Sequence, residues 1–317
     1  MDRLHPVWSV AGWTIAVGAA LVLLTQPFGT PTATIAALQS LSPWALPPVV
    51  TVALIAMFRR RHRLGFVASL VGFGYLVLTA PVAFPAQGPE VSSDAATFTV
   101  LASNVLYSND RIDRAGDVLL GDADIVGLAE ITPEQLAILR AHPLAERYAY
   151  RLERAGRGAR GLMIWSRFPI VEADTGADLD RSLAADVATP DGPVRVVLVH
   201  PPPPVFNRPV WQQELDAVPV AVGRSEFPTI VMGDFNANVF HPPFREALDE
   251  AGLIDAVPAA GHPLAMTWPT DIWLPPFVAL DHILLDGRLA VDHAGVIAVP
   301  GADHRAVWAT VGFAGSG

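Results

Sequence analysis

Eight polar residues in this sequence share one placement: each falls at, or just beside, the end of a short apolar run. Asn104 follows Phe98–Ser103, Glu130 follows Ile125–Ala129 and His200 follows Val194–Val199. Asp234 and Asn236 follow Thr229–Met232, Asp281 lies within Leu280–Leu285, beside its start, and Asp303-His304 precede Arg305–Val311. Carboxylates and amide carbonyls are hard oxygen donors that suit Mg²⁺ or Mn²⁺. A histidine paired with an acid suits proton transfer near neutral pH. Asp234 and Asn236 are two residues apart, so in an extended stretch they project to the same side and can act on one water and one metal.

Taken singly, several of these residues read as ordinary. Glu130 alone would be a solvated acid and Asn104 a turn cap; for His200, ahead of four prolines, a functional role is favoured, with a plain loop residue as the alternative. The pairs Asp234/Asn236 and Asp303/His304 favour function. Positioning them falls to short runs rich in Val, Ile and Leu, which read as strands; Arg160–Trp165 is a further one. Ile112–Leu120, Pro133–Ala141, Pro209–Val222 and Pro243–Ala251 read as helices, three with proline at or near the start. Strands interleaved with helices predict a layered α/β domain whose strand ends project polar groups into one shared mouth.

The motifs Ala102-Ser103-Asn104-Val105, Gly127-Leu128-Ala129-Glu130, Val199-His200-Pro201, Gly233-Asp234-Phe235-Asn236-Ala237, Leu280-Asp281-His282 and Ala302-Asp303-His304-Arg305 resemble, in order and spacing, those of the endonuclease/exonuclease/phosphatase superfamily. The resemblance spans residues 97–313. It implies a four-layered α/β sandwich, two packed mixed sheets flanked by helices, and a metal-dependent phosphoric ester hydrolase with one or two Mg²⁺ or Mn²⁺ ions. Phosphoester hydrolysis needs a cation on the non-bridging oxygens, an activated water and help for the leaving oxygen. Glu130 is the expected main metal ligand, with Asn104, Asp234, Asn236 and Asp303 completing the set. His304 is the expected general base, Asp281 its orienting acid, and His200 a donor to a phosphoryl oxygen. Trp268 stands where relatives carry an aromatic near the site, with packing as the alternative. Arg157, Arg160 and Arg167 could grip a phosphate or be solvated.

The front of the chain differs from the rest. Residues 1–84 contain only Asp2, Arg3, Arg59, Arg60, Arg61 and Arg63 as charged residues, so residues 85–317 carry a net charge of −14. A membrane helix needs about 20 mostly apolar residues. Three spans are expected, at residues 8–25, 44–58 and 64–84; the middle one is interrupted by Pro43, Pro47 and Pro48 and can extend back to Thr32. A cleaved signal peptide is the alternative for the first run. Arginines at 59–63 and Arg3 would stay in the cytoplasm, placing the rest outside. Residues 85–96 read as a linker and 97–317 as the catalytic domain.

The chain contains no cysteine, which excludes a disulfide framework and thiolate metal sites. These features together predict a multi-pass membrane protein acting outside the cytoplasm on a phosphate ester, with a lipid headgroup or cell-envelope phosphodiester favoured. An extracytoplasmic nuclease is the alternative, disfavoured because a net acidic domain opposes binding to phosphate backbones. A non-catalytic module that keeps the fold is the third reading.

Overall fold

The computed structural model describes residues 5–84, 88–174 and 181–315. Four helices come first: α1 (His5–Thr25), α2 (Ala33–Ser40), α3 (Leu46–Phe58) and α4 (His62–Ala83). The three expected runs fall on α1, α3 and α4. Two helices, Val7–Phe28 and His62–Ala83, are long and apolar enough to cross a membrane. Ala33–Ser40 and Ser42–Phe58 would make a third span only as one pair bent by 67°. The run back to Thr32 therefore does not continue α3 in a straight line. The bend lies just before Pro43, whose ring disfavours helix at the preceding residue. On the near side of the bend, buried Gln39 donates to Thr25 Oγ1 and Gly29 O and accepts from Thr30 Oγ1, which ties α2 to the end of α1.

The remainder runs, in order, β1 (Phe98–Asn104), α5 (Ile112–Leu119), β2 (Ile125–Ala129), α6 (Pro133–Ala141), β3 (Tyr150–Arg154), β4 (Leu162–Ser166), β5 (Ile170–Asp174), β6 (Ser182–Thr189) and β7 (Gly192–Val199). There follow α7 (Pro204–Gly223), β8 (Thr229–Asp234), α8 (Pro242–Ala251), β9 (Leu253–Asp255), α9 (Ala256–Ala259), β10 (Asp281–Asp286), β11 (Leu289–Ala298) and β12 (Arg305–Phe313). They build two mixed six-stranded sheets, ordered β11-β12-β1-β2-β4-β3 and β5-β6-β7-β8-β10-β9. Each holds one parallel pair, β1/β2 and β7/β8. Parallel neighbours need a long crossover, and α5 and α7 supply it.

Side chains alternate across each strand with a period of two, which sorts the core into layers. Val100, Ala102 and Ile164 of the first sheet meet Val196, Leu198 and Met232 of the second. Leu101, Val126 and Leu128 face outward onto Ile112, Leu119 and Leu139 of the helices that cover the first sheet. Val197, Val231 and Leu284 do the same against Trp211, Leu215 and Phe244. The result is the expected sandwich of two sheets between two helical layers. Residues 88–96, expected as a linker, instead run beside the last strand: Val91 bridges to Ala314 and Ser92 N–H donates to Phe313 O. Residues 85–87 of that stretch lie outside the described residues.

Candidate active site

The topology brings six strand ends to one edge of the sandwich. The parallel pairs β1/β2 and β7/β8 all finish there. The antiparallel strands β10 and β12 begin there, because Asp281 pairs with Asp234 and Ala102 pairs with Val307. Asn104, Glu130, His200, Asp234, Asp281 and His304 are consequently neighbours, and all six are buried.

Asn104 Nδ2 donates to Glu130 Oε1 at 3.1 Å and to Asp234 Oδ2 at 3.0 Å. Its Oδ1 accepts from the Leu106 N–H, so the amide braces two carboxylates together. Glu130 Oε2 accepts from the Tyr107 N–H. His200 Nε2 stands 3.7 Å from both Glu130 Oε1 and Asp234 Oδ2. His304 Nδ1 lies 2.8 Å from Asp281 Oδ2, and its Nε2 lies 3.8 Å from Asp234 Oδ2.

Two expected residues are placed less centrally. Asn236 donates through Nδ2 to Pro201 O, at 3.0 Å, and through its backbone N–H to Asp234 Oδ1. It thereby fixes the segment after His200 and the Asp234 rotamer. Asp303 is half-buried, and its Oδ1 is buried without a hydrogen-bond partner.

Backbone strain concentrates at the same edge. Glu130 has φ +64° and Asn236 φ +48°, a left-handed conformation that costs a non-glycine residue on the order of 1–3 kcal/mol at such sites. Gly233 adopts φ +136°, and a Cβ there would stand 2.1 Å from Val199 O. Only glycine lets β7 and β8 approach where they deliver His200 and Asp234.

Burial shapes the electrostatics. It raises the Asp234 carboxyl above its usual range, the imidazoles of His304 and His200 only partly opposing this. Burial also works against a charged His304, but Asp281 and Asp234 outweigh it and push its pKa up to about 10. At His200, burial prevails over Asp234 and the pKa falls. Four acids, Glu130, Asp234, Asp281 and Asp303, thus share the cluster with two imidazoles. A divalent cation fits it on three counts: the donors are oxygens with imidazole; one oxygen each of Asp281 and Asp303 is buried without a partner; and ligand atoms of Asp234, Asp281 and His304 lie within 4.8 Å of one another.

Several supports had no legible sequence signal. Thr267 Oγ1 accepts from the backbone N–H of Leu280 and Asp281, and Tyr107 serves through its main chain. Trp268 does stand by the site, its ring centroid 6.5 Å from that of His304. Arg167 does not: it pairs with Asp124 at the opposite end of β2. Arg157 and Arg160 are exposed in the loop between β3 and β4, at the site's end of the sheet.

The first four helices reach this edge too. The loop 235–241 carries Asn236 and is held from both sides. Trp211 Nε1 donates to Phe235 O and Asn236 O. His241 Nδ1 accepts from Asn238 N–H, which leaves Nε2–H to donate to Ala36 O of α2 at 3.0 Å. Asn238 Nδ2 donates to Ser40 O, and Gln26 Nε2 to Phe240 O. Burial of His241 drives its pKa down to about 4. A histidine depressed in the fold contributes stability that is fully present above its unfolded pKa, near 6.5, and lost as pH falls through the folded value. The stability gap between the wild type and His241→Ala is expected to shrink by up to about 3 kcal/mol as pH drops from 6.5 to below 4. Thermal melts of both proteins across that window check it.

The sequence profile of the Endonuclease/Exonuclease/phosphatase family matches residues 101–308, a range that contains all eight residues picked out by their place at strand ends. A search of curated proteins finds no match. Solved structures with the same fold include an endonuclease/exonuclease/phosphatase family protein from Bacteroides thetaiotaomicron, 18% identical, with a TM-score of 0.57 over 69% of this chain and 99% of that one. TDP2 of D. rerio, solved with a single-strand DNA product, is 18% identical with a TM-score of 0.58 over 68% and 99%. A mannosyl-6-phosphatase of Bacteroides thetaiotaomicron is 19% identical with a TM-score of 0.54 over 68% and 99%. With the profile covering most of the chain and the sandwich shared, this protein belongs to the endonuclease/exonuclease/phosphatase family.

Proposed function

We propose that this protein is a membrane-anchored, divalent-metal-dependent phosphoesterase whose catalytic domain, residues 97–317, faces away from the cytoplasm. One observation carries the reading: Asn104, Glu130, His200, Asp234, Asp281 and His304 form a single buried cluster. Glu130 and Asp234 would hold one ion, Asn104 keeping their carboxylates side by side. Asp303 and Asn236 flank them and would serve a second ion if one binds. The cation, Mg²⁺ or Mn²⁺, would offset charge on the phosphoryl oxygens.

The chain's own groups do the rest. His304 has Nδ1 engaged by Asp281, so its Nε2 is the atom that takes the proton of the attacking water. Positive charge held at Asp234 would also offset that carboxylate's pull on the His304 proton, lowering the His304 pKa toward the range of a base, while Asp281 keeps the ring oriented. His200 Nε2, between Glu130 and Asp234, is placed to hydrogen-bond a phosphoryl oxygen as charge develops there. Arg157 and Arg160 stand at the rim for a substrate phosphate.

Topology supports the outward placement. The Arg59 guanidinium lies 5.9 Å from the Trp8 ring centroid, so the start of α1 and the arginine-rich turn 59–63 share one end of the helical bundle. Positive charge stays cytoplasmic, and the catalytic domain is at the other end. A tether beside the bilayer raises the local concentration of membrane substrate, which favours a lipid headgroup or envelope phosphodiester. The structure of TDP2 with DNA motivates a nuclease as the second reading, and the net charge of −14 over residues 85–317 weighs against it.

The test is hydrolysis of bis-p-nitrophenyl phosphate, a lipid extract and plasmid DNA by the detergent-solubilised full chain, with Mg²⁺, Mn²⁺ or EDTA. Activity that survives EDTA overturns the metal-dependent reading, and cleavage of DNA alone selects the nuclease. In the same assay Glu130→Gln is expected to raise the Mg²⁺ concentration for half-maximal rate at least as much as losing a ligand's outer hydrogen-bond partner does, roughly 10–100-fold. A Mg²⁺ titration of both proteins reads this directly.

A further inference from the structure

Between the last turns of α4 and the catalytic sandwich lies a cavity of about 580 Å³, within the roughly 300–1,000 Å³ range of small-ligand sites. Leu78 and Val82 of α4 form one wall; Leu253, Val257, Leu264 and Phe277 form the others. We propose that this cavity holds a hydrocarbon chain of a membrane lipid, an inference that rests on the reading of α1 and α4 as membrane-spanning.

Two observations select that occupant over a soluble ligand. First, one wall is the end of a helix long and apolar enough to cross a membrane, so the cavity adjoins an end of that span. Second, Leu264 in its lining is 70% exposed, and Phe84, directly after α4, is 81% exposed. The apolar surface therefore continues outward from the cavity instead of closing over it, as expected where hydrocarbon enters from a bilayer.

Photolabelling tests the proposal without reference to hydrolysis. The full chain is reconstituted in vesicles of phosphatidylethanolamine and phosphatidylglycerol, with part of the phosphatidylglycerol carrying a mid-chain diazirine. After irradiation, adducts are mapped by peptide mass spectrometry. The expected result is labelling between residues 253 and 266 as well as on α1 and α4. Ala259→Trp and Ala265→Trp, placed on separate segments of the lining, should each reduce labelling at 253–266 by roughly tenfold, displacement of about two methylenes being enough for that. Adducts on α1 and α4 should persist in both variants. Labelling of α1 and α4 with none at 253–266, or with adducts there undiminished in both tryptophan variants, overturns the cavity proposal while leaving the membrane reading intact. A chain that takes no label on α1 or α4 overturns both.

Discussion

His304→Ala is expected to lower kcat for bis-p-nitrophenyl phosphate by about 10²–10⁴-fold, the range for losing a positioned general base. The effect should fall on kcat more than on KM, because Nε2 of His304 faces Asp234 within the cluster and, in the proposed mechanism, would act on the water rather than grip the substrate. Mg²⁺ binding should survive, since Glu130, Asn104 and Asp234 keep their mutual contacts. Equal activity in wild type and variant would remove His304 from the mechanism. Asp281→Asn separates orientation from charge. The amide can still meet His304 Nδ1, but it carries no charge to favour the imidazolium and can present N–H where an acceptor is needed. A loss with Asp281→Asn comparable to that of His304→Ala identifies the pair as one unit, as expected for groups that act together.

What made this cluster legible was a conflict within the sequence: polar residues placed at the ends of runs that otherwise bury everything. Asp234 and His304 break the apolar pattern at points where a strand has just ended or is about to begin, and strand ends are what the parallel pairs β1/β2 and β7/β8 bring together. The strands found beforehand are the ones packed on both faces, such as Ile125–Ala129, in which every residue is buried. Five strands escaped that reading for identifiable reasons. Tyr150–Arg154 is an edge strand with exposed and half-buried positions, so it lacks a continuous apolar run. Ser182–Thr189 is buried almost throughout but is built from small residues, which carry little hydrophobic signal. Leu253–Asp255 is only three residues long. Leu289–Ala298 contains Asp292 and His293 at a register shift against β12, which disguises its alternation, and Ile170–Asp174 pairs irregularly in the same way.

The contacts between the front helices and the site could not be read in advance for a different reason. They run through backbone carbonyls, those of Ala36, Ser40 and Phe240, and a carbonyl leaves no mark in the letters. His241 joins helix α2 to the loop beside Asp234 in this way. Asn104, expected among the metal ligands, has its Oδ1 on Leu106 N–H and its amide hydrogens on the two carboxylates, an arrangement that only local backbone geometry could decide.

Those contacts carry the second large prediction: a chain that begins near Ser92, without the four front helices, is expected to lose activity on the order of 10²-fold toward a small soluble substrate, for which tethering confers no advantage. If the helices merely anchored the domain, their removal would leave this activity unchanged. Instead the loop 235–241 would lose the acceptors of Asn238 and His241 and the donor from Gln26, and the segment ending at Phe277 would lose the Trp44 indole N–H at 2.7 Å. These groups would turn to water rather than stay buried and unpaired, so the cost falls on positioning more than on stability. Asn236, which holds Asp234 Oδ1, lies in that loop. A displacement near 1 Å at a reacting group can cost about 10² in rate. The full-length His241→Ala variant, which cuts one tie and keeps the rest, should fall between the two. Comparing kcat/KM for the three proteins at saturating Mg²⁺, with far-ultraviolet circular dichroism to establish that the truncated sandwich has folded, decides it. Full activity in a folded, truncated chain would reduce the front helices to a tether.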